Sequence, residues 1–417
     1  MKSSDITREA VAVVAWCRAR RSEMVELLRA LVDTPSHAAQ REGVAQVAAI
    51  VRGQLEPLGF AFEEHRSSAV AAELAWVEQI LSPEVPYDEL ASSYVGRRAS
   101  GPRRLLLLGD LDTALPGVSP GARMSTQGGR AYGAGVADMK GGLVVMMMAL
   151  RALEAVGATT PSISIVLAGD EQAGSLSSRT LIESEARTAD WCLCLECARD
   201  GGKLLRSRAH IGVGLLEALG REAHAGSSHS AGANAIDAIA RVIPALNELT
   251  RPQSRVFVTV TLISGGRRRS VVPAKASAVL DVRTSDWRAW ETTRRRIEKS
   301  VRGVNVAGVT LTIRLHAHRP GFSASASRPL LAIARRAGQD LGLDIAAQDS
   351  AAAGSSAFVG ALGVPTLDGM GPSGGSLMTS GEYVDLDSLT ERAALLALTI
   401  RSLLSGGPPY NGRRRTA

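Results

Sequence analysis

A chain of 417 residues is long for one compact domain, and 45% hydrophobic against 21% charged residues supply core material for two. The net charge of +7 collects in arginine runs at 267–269, 294–296 and 413–415, and aromatics at 4% are too few to stack nucleic-acid bases, so the runs read as solvated surface and nucleic acid is excluded as a partner. The longest strongly apolar stretch, residues 141–150, is about half of what spans a bilayer, which excludes a membrane span.

The N-terminal segment has no small-residue cleavage site, and four cysteines, three of them in "CLCLEC", make no disulfide framework; a reducing cytoplasm is the expected location. Residues 22–33 and 42–59 carry apolar side chains at helical spacing and predict two helices. "RRLLLLG" at 103–109 predicts a buried strand that runs into Asp110 and Asp112. A helix is predicted over 139–157, closed by Gly157, followed by buried strands at 161–171 and 190–197 that also end on acids, Glu171 and Glu196. From about residue 208 the texture changes to strand, helix (232–249), two strands, helix (287–301) and strand, a smaller α+β unit.

Buried strands between helices, with carboxylates at their C-terminal ends, predict an α/β fold: a largely parallel sheet flanked by helices, with its site at the strand ends. Asp110, Asp112, Asp138, Glu171 and Glu196 would converge there. The expected domains are 1–207 and 318–417 as two parts of one α/β domain, with 208–317 inserted and a disordered Arg-rich tail at the end.

The ordered segments "GDLDTALPG", "GAGVADMKGG", "GDEQAGS", "LCLEC", "AHAG…GANAIDAI", "SVVPAKASAVLDVR", "RPGF", "LGVPTLDGMGPSGG" and "EYVDLDSL" span nearly the whole chain. Their order and spacing are similar to the zinc exopeptidase and deacylase family of glutamate carboxypeptidase, acetylornithine deacetylase and succinyl-diaminopimelate desuccinylase. The resemblance implies a catalytic domain with two zinc ions, an inserted lid that forms a homodimer, and hydrolysis of a small carboxylated amide or peptide-like substrate. It also makes Asp138 the carboxylate that bridges the metals, Glu196 a terminal ligand and Glu171 the general base.

Three ligand positions depart from that pattern. Asp110 stands where the family has histidine, Gln172 where an acidic pair continues, and Met378 where "GGxxH" closes the second metal. None of the seven histidines falls in these segments. Asp110, Asp138 and Glu196 still offer three hard oxygen donors for one Mg²⁺, Mn²⁺ or Zn²⁺, whereas a neutral amide and a thioether suit no common divalent ion. The expectation is therefore one divalent metal or none, and not two zincs. Asp112, whose family role is to orient the missing histidine, would share a face with Asp110. Like charges at ~4 Å repel by about 4 kcal/mol at an effective dielectric near 20, so a metal-free site would leave a proton on Glu171 or Asp112 as an acid/base group.

On the substrate side, His224 in "AHAG" matches a lid histidine that meets the substrate or the tetrahedral intermediate, and Arg283 and Arg319 match anion-binding positions. Ser270 and Ser356 stand where asparagine and aspartate are usual. Plainer readings stand beside each signal: Asp110 and Asp112 as turn caps, Arg283 and Arg319 as salt-bridge residues, and Cys197 as core where a soft-metal ligand paired with Met378 is the alternative. Three functions follow. The first is a repurposed enzyme acting on an N-acyl amino acid or peptide-like amide, hydrolytic or turned to elimination, cyclisation or acyl transfer, with Glu171 as acid/base and His224 on the oxyanion. The second is a catalytically inactive dimer that binds a ligand or partner, and the third a hydrolase with a non-standard metal site.

Overall fold

The computed structural model describes residues 3–83, 86–114, 123–199 and 201–404. The tail expected to be disordered lies outside the described residues. The chain divides into two compact units: one takes in the chain up to Ser207, Ser323–Ser350 and the chain from Gly354, and the other takes in Arg208–Phe322 with Ala351–Ala353. The inserted unit extends past the expected limit at 317 because the strand Thr310–Arg319 runs through that point, and Phe322 and Arg208 then exchange backbone hydrogen bonds of 3.1 and 3.2 Å.

In the larger unit a six-stranded sheet has the spatial order Ala61–His65, Ser93–Arg98, Ser162–Ala168, Arg104–Asp110, Trp191–Cys194, Thr366–Leu367. Neighbours among the last four pair parallel, and the first two pairings are antiparallel. The run of leucines explains why Arg104–Asp110 is central. Leu105 and Leu107 enter the core on one face, Leu106 and Leu108 the core on the other, and all four are at most 1% exposed. A strand apolar on both sides is stable only between two helical layers, where each leucine contributes about 2 kcal/mol.

The first layer includes Arg21–Val32, Arg41–Leu55, Gly141–Ala155 and Leu386–Ser402; Ser178–Ala186 and Ser356–Ala361 lie on the other face. The helix predicted over 42–59 stops at Leu55, with Pro57 in a short 3₁₀ turn and Gly59 at φ 85°. That predicted from 139 begins at Gly141, because Asp138 (φ −118°, ψ 85°) and Met139 lie in a separate non-helical turn. The offset frees Asp138 from helical geometry.

In the smaller unit an antiparallel sheet has the order Phe257–Gly265, Lys275–Thr284, His210–Leu219, Thr310–Arg319. Helices Ala235–Asn247 and Trp287–Arg302 bury Ile239, Val242, Trp290 and Ile297 in a core with Leu216, Leu280 and Val282. Gly212 makes room for Trp290, since a Cβ there would sit 1.8 Å from its ring. The edge strand Phe257–Gly265 leaves Leu262 and Ile263 61% and 59% exposed. Among the described residues no helix is long and apolar enough to cross a membrane.

Candidate active site

Parallel pairing brings the acids together. Asp110 ends its strand in register with Ala168, Glu171 follows three residues later, and Glu196 lies two residues beyond Cys194. Hydrogen bonds from Leu111 N to Ala168 O (2.8 Å) and Leu195 N to Leu108 O (3.0 Å) carry the pairing up to these residues. Carboxylate oxygens of Asp110, Glu171 and Glu196 consequently lie within 4.8 Å of one another, all three side chains buried. Gly142 makes the Glu196 segment's position possible, because a Cβ there would meet Leu195 O at 1.9 Å. On the other side Gly371 N donates to Glu196 O (2.9 Å).

Asp110 is 2% exposed, and its Oδ2 has no hydrogen-bond partner. Burial first, then the charges of Glu171, Glu196, Asp112 and Asp138, push its pKa well above the usual carboxylate range. A cation beside it would oppose that shift.

Asp112 corrects an expectation. Its Oδ1 accepts from Glu171 N (3.1 Å) and its Oδ2 from Gln172 N (2.8 Å), and the side chain is completely buried. Burial, Glu171 and Asp170 raise its pKa well above normal, against the pull of those two N–H groups. With both oxygens engaged by the backbone it fixes the turn that carries Glu171.

Asp138 is also placed differently from the expected ligand set of Asp110, Asp138 and Glu196. It lies outside the close trio, where Glu171 takes its place, and its Oδ1 accepts from the Gln172 side-chain amide at 3.1 Å. Burial, then Glu196, Glu171 and Glu382, raise its pKa well above normal, while Arg199 opposes the shift.

Several site residues escaped the sequence reading. Glu382 Oε1 accepts from Ala137 N (2.8 Å) and Asp138 N (2.9 Å), and its Oε2 from Gly135 N (3.4 Å), so one buried carboxylate holds the Asp138 turn. The Lys140 ammonium donates to Thr34 O (2.7 Å); burial pushes its pKa down to about 7 against the charges of Glu382 and Asp33. Arg199, with a guanidinium nitrogen 4.0 Å from Glu196, is a cation beside the acids. Asp170 Oδ2 accepts from Ser177 N (2.9 Å) and Ser178 N (3.2 Å) and closes the turn after Glu171. The signals were present as "EYV", "DMK" and "GDE" within the quoted segments, but the partners lie far off in the chain.

Residues 106–402 match Peptidase family M20/M25/M40. The chain belongs to this family. Carboxypeptidase G2 of Pseudomonas sp. (strain RS-16) is 27% identical over 394 residues, 92% of this chain and 90% of that protein. A succinyl-diaminopimelate desuccinylase of Erythrobacter litoralis is 29% identical over 252 residues, 57% of this chain and 63% of that one. Among solved structures, the aminopeptidase PepT of Bacillus cereus shares the fold, with a TM-score of 0.73 at 18% identity, covering 92% of this chain and 99% of that chain.

Peptidases of the M20 type use divalent metals, as the resemblance implied, and the donor set here tests how many fit. One hard cation fits among Asp110, Glu171 and Glu196, where a buried oxygen lacks a partner and three oxygens converge. A second does not. Gln172 presents an amide N–H to Asp138 Oδ1, and Met378 is 53% exposed on a residue with φ 60°. The soft-metal alternative fails as well, since Cys197 Sγ lies 3.2 Å from both Ala198 O and Pro372 O, which share its single proton, and burial pushes its pKa up to about 12.

In the smaller unit His224 is exposed, and its Nδ1 accepts from Gly226 N and Ser227 N (both 3.1 Å), so Nε2 is the ring's N–H donor. Its strand pairs with Val271, so "AHAG" and "SVVP" are local neighbours. Arg283, an expected anion-binding residue, donates to Asp281 (2.8 and 3.2 Å) and to Ala351 O (3.1 Å), so its guanidinium already has a carboxylate partner. Arg319 is 3% exposed, too buried to serve as an open anion site within its own unit.

Proposed function

We propose that the protein hydrolyses the amide bond of an N-acyl amino acid or short peptide-like substrate, using one divalent cation at most. The observation that carries this reading is the buried meeting of Asp110, Glu171 and Glu196 within 4.8 Å in a chain of the M20 family. Asp110 and Glu196 would hold the ion, with Glu171 beside them; Mg²⁺ or Mn²⁺ suits such an all-oxygen set better than Zn²⁺. When bound, the ion would polarise the scissile carbonyl and acidify a water.

Each protein group then has a task. Glu171 takes the proton of the attacking water and returns it to the departing amine, which balances the hydrolysis. Asp112 holds Glu171 in place through its backbone N–H. Gln172 supplies Asp138 with a hydrogen bond where the family's second metal would supply charge. His224 offers Nε2–H to the developing oxyanion, as the family resemblance suggests. A homodimer through the smaller unit is supported by its open edge strand, where Leu262 and Ile263 are exposed. Four buried free thiols are compatible with a cytoplasmic location.

The test is elemental analysis after equilibration with Mn²⁺, Mg²⁺ or Zn²⁺, followed by a screen of N-acyl amino acids and dipeptides. One metal per chain and turnover lost in Glu171→Gln support the proposal. Two metals per chain, or turnover unaffected by Glu171→Gln, sink it.

A further inference from the structure

The arginine run 294–296 divides in the folded unit. Arg294 is held by Glu291 (3.2 Å) and Glu298 (2.7 Å), and Arg295 lies 3.8 Å from Glu291. Arg296 has no carboxylate partner among the described residues and lines a cavity of about 350 Å³ together with Arg251 and Arg288. That volume lies at the lower end of the range for small-molecule sites, roughly 300–1,000 Å³. Arg288, Thr292 and Arg296 are spaced i, i+4, i+8 and so present one face of the helix Trp287–Arg302 to it.

The charge of the cavity is unbalanced. Three guanidinium groups face one carboxylate, Asp286, and that group is committed elsewhere: its Oδ1 accepts from Ala289 N (2.9 Å) as the helix cap, and Ser285 Oγ donates to its Oδ2 (3.0 Å). Asp286 thereby caps the Ala289 N–H, and the positive charge of the cavity comes from the arginine side chains. Arg251 is already fixed, its Nη1 donating to Glu248 O and to Thr250 O (2.8 Å). An immobilised guanidinium loses less entropy on binding a planar or tetrahedral anion. Leu249 and Val256 supply an apolar wall.

We propose that this cavity binds a small organic dianion, with its anionic oxygens on Arg251 and Arg296 and its apolar part on Leu249 and Val256. Phosphate monoesters and dicarboxylates share this chemistry. All the residues involved belong to the smaller unit, so the inference stands independently of the acidic site.

The experiment is isothermal titration of the full chain with phenyl phosphate and, separately, benzylsuccinate, against chloride at matched ionic strength. Saturable binding of either at a Kd of about 1 mM or tighter is expected, and the tighter of the two identifies the class. Arg296→Ala should weaken it at least tenfold with an unchanged melting temperature, and Arg251→Ala at least tenfold in the folded protein, while Arg295→Ala, whose charge pairs with Glu291, should not. No saturable binding of either probe, or equal affinity in Arg296→Ala and the parent, overturns the proposal.

Discussion

Replacing Glu382 tests how the Asp138 turn is held. Its carboxylate, 3% exposed, accepts three backbone N–H groups, those of Gly135, Ala137 and Asp138. In Glu382→Ala these buried donors lose their acceptor, and each stranded donor costs about 1–3 kcal/mol. Removing a buried carboxylate recovers part of its desolvation, so the expected net loss is about 3–6 kcal/mol. Glu382→Gln separates the effects. The amide oxygen can keep the bonds to Ala137 and Asp138, while the amide nitrogen would face the Gly135 donor, for an expected loss of about 1–2 kcal/mol. Urea unfolding monitored by circular dichroism gives the stability, and Mn²⁺ titration of the folded variants reports on the site. If Ala and Gln variants both unfold within about 0.5 kcal/mol of the parent, the carboxylate does not hold the turn and the reasoning fails.

Three further outcomes are expected. Gln172→Glu should abolish the amide hydrogen bond to Asp138 and place a second anionic oxygen beside it, raising the affinity for a divalent cation; Mn²⁺ affinity unchanged from the parent in a metal titration would count against Gln172 as the amide in place of a metal. His210 is buried against Trp287 and Trp290, and burial lowers its pKa from 6.5 to about 4 despite Asp286 and Glu291. The unfolded chain therefore takes up a proton between pH 6.5 and 4 that the folded chain refuses, so stability present above pH 6.5 falls by about 3 kcal/mol as pH drops to 4; His210→Phe should flatten that part of the urea-stability profile. Leu262→Lys with Ile263→Lys should convert a dimer into monomers in sedimentation, and a parent chain that already sediments as a monomer would refute the edge-strand interface.

Some of the site could be read directly along the chain. Four consecutive leucines require a strand buried on both faces, and a parallel strand delivers its next residue to the sheet's C-terminal edge, so Asp110, Glu171 and Glu196 were legible as one group. The pairing of Asp281 with Arg283 was equally available, since residues two apart on a strand share a face. That Asp110, Gln172 and Met378 stand where the family resemblance implies histidine, acid and histidine needed no coordinates at all.

What each remaining group touches depended on the folded chain. Asp112 meets N–H groups 59 and 60 residues away, Gln172 reaches Asp138 across 34 residues, and Glu382 meets the Asp138 turn across 244. Local periodicity reports which face of its own element a residue occupies. It carries nothing about which distant segment is packed beside it, because that is set by strand order, layer packing and the close approaches that Gly142 and Gly371 allow. The sequence by itself therefore determined the sheet, the edge at which the acids gather and, through the family resemblance, the positions that depart from its ligand pattern. Only the tertiary structure decided that Asp112 is a backbone anchor, that Glu171 replaces Asp138 in the close trio, and that Arg283 is already paired, since hydrogen bonds between remote segments are chosen by packing and not by spacing.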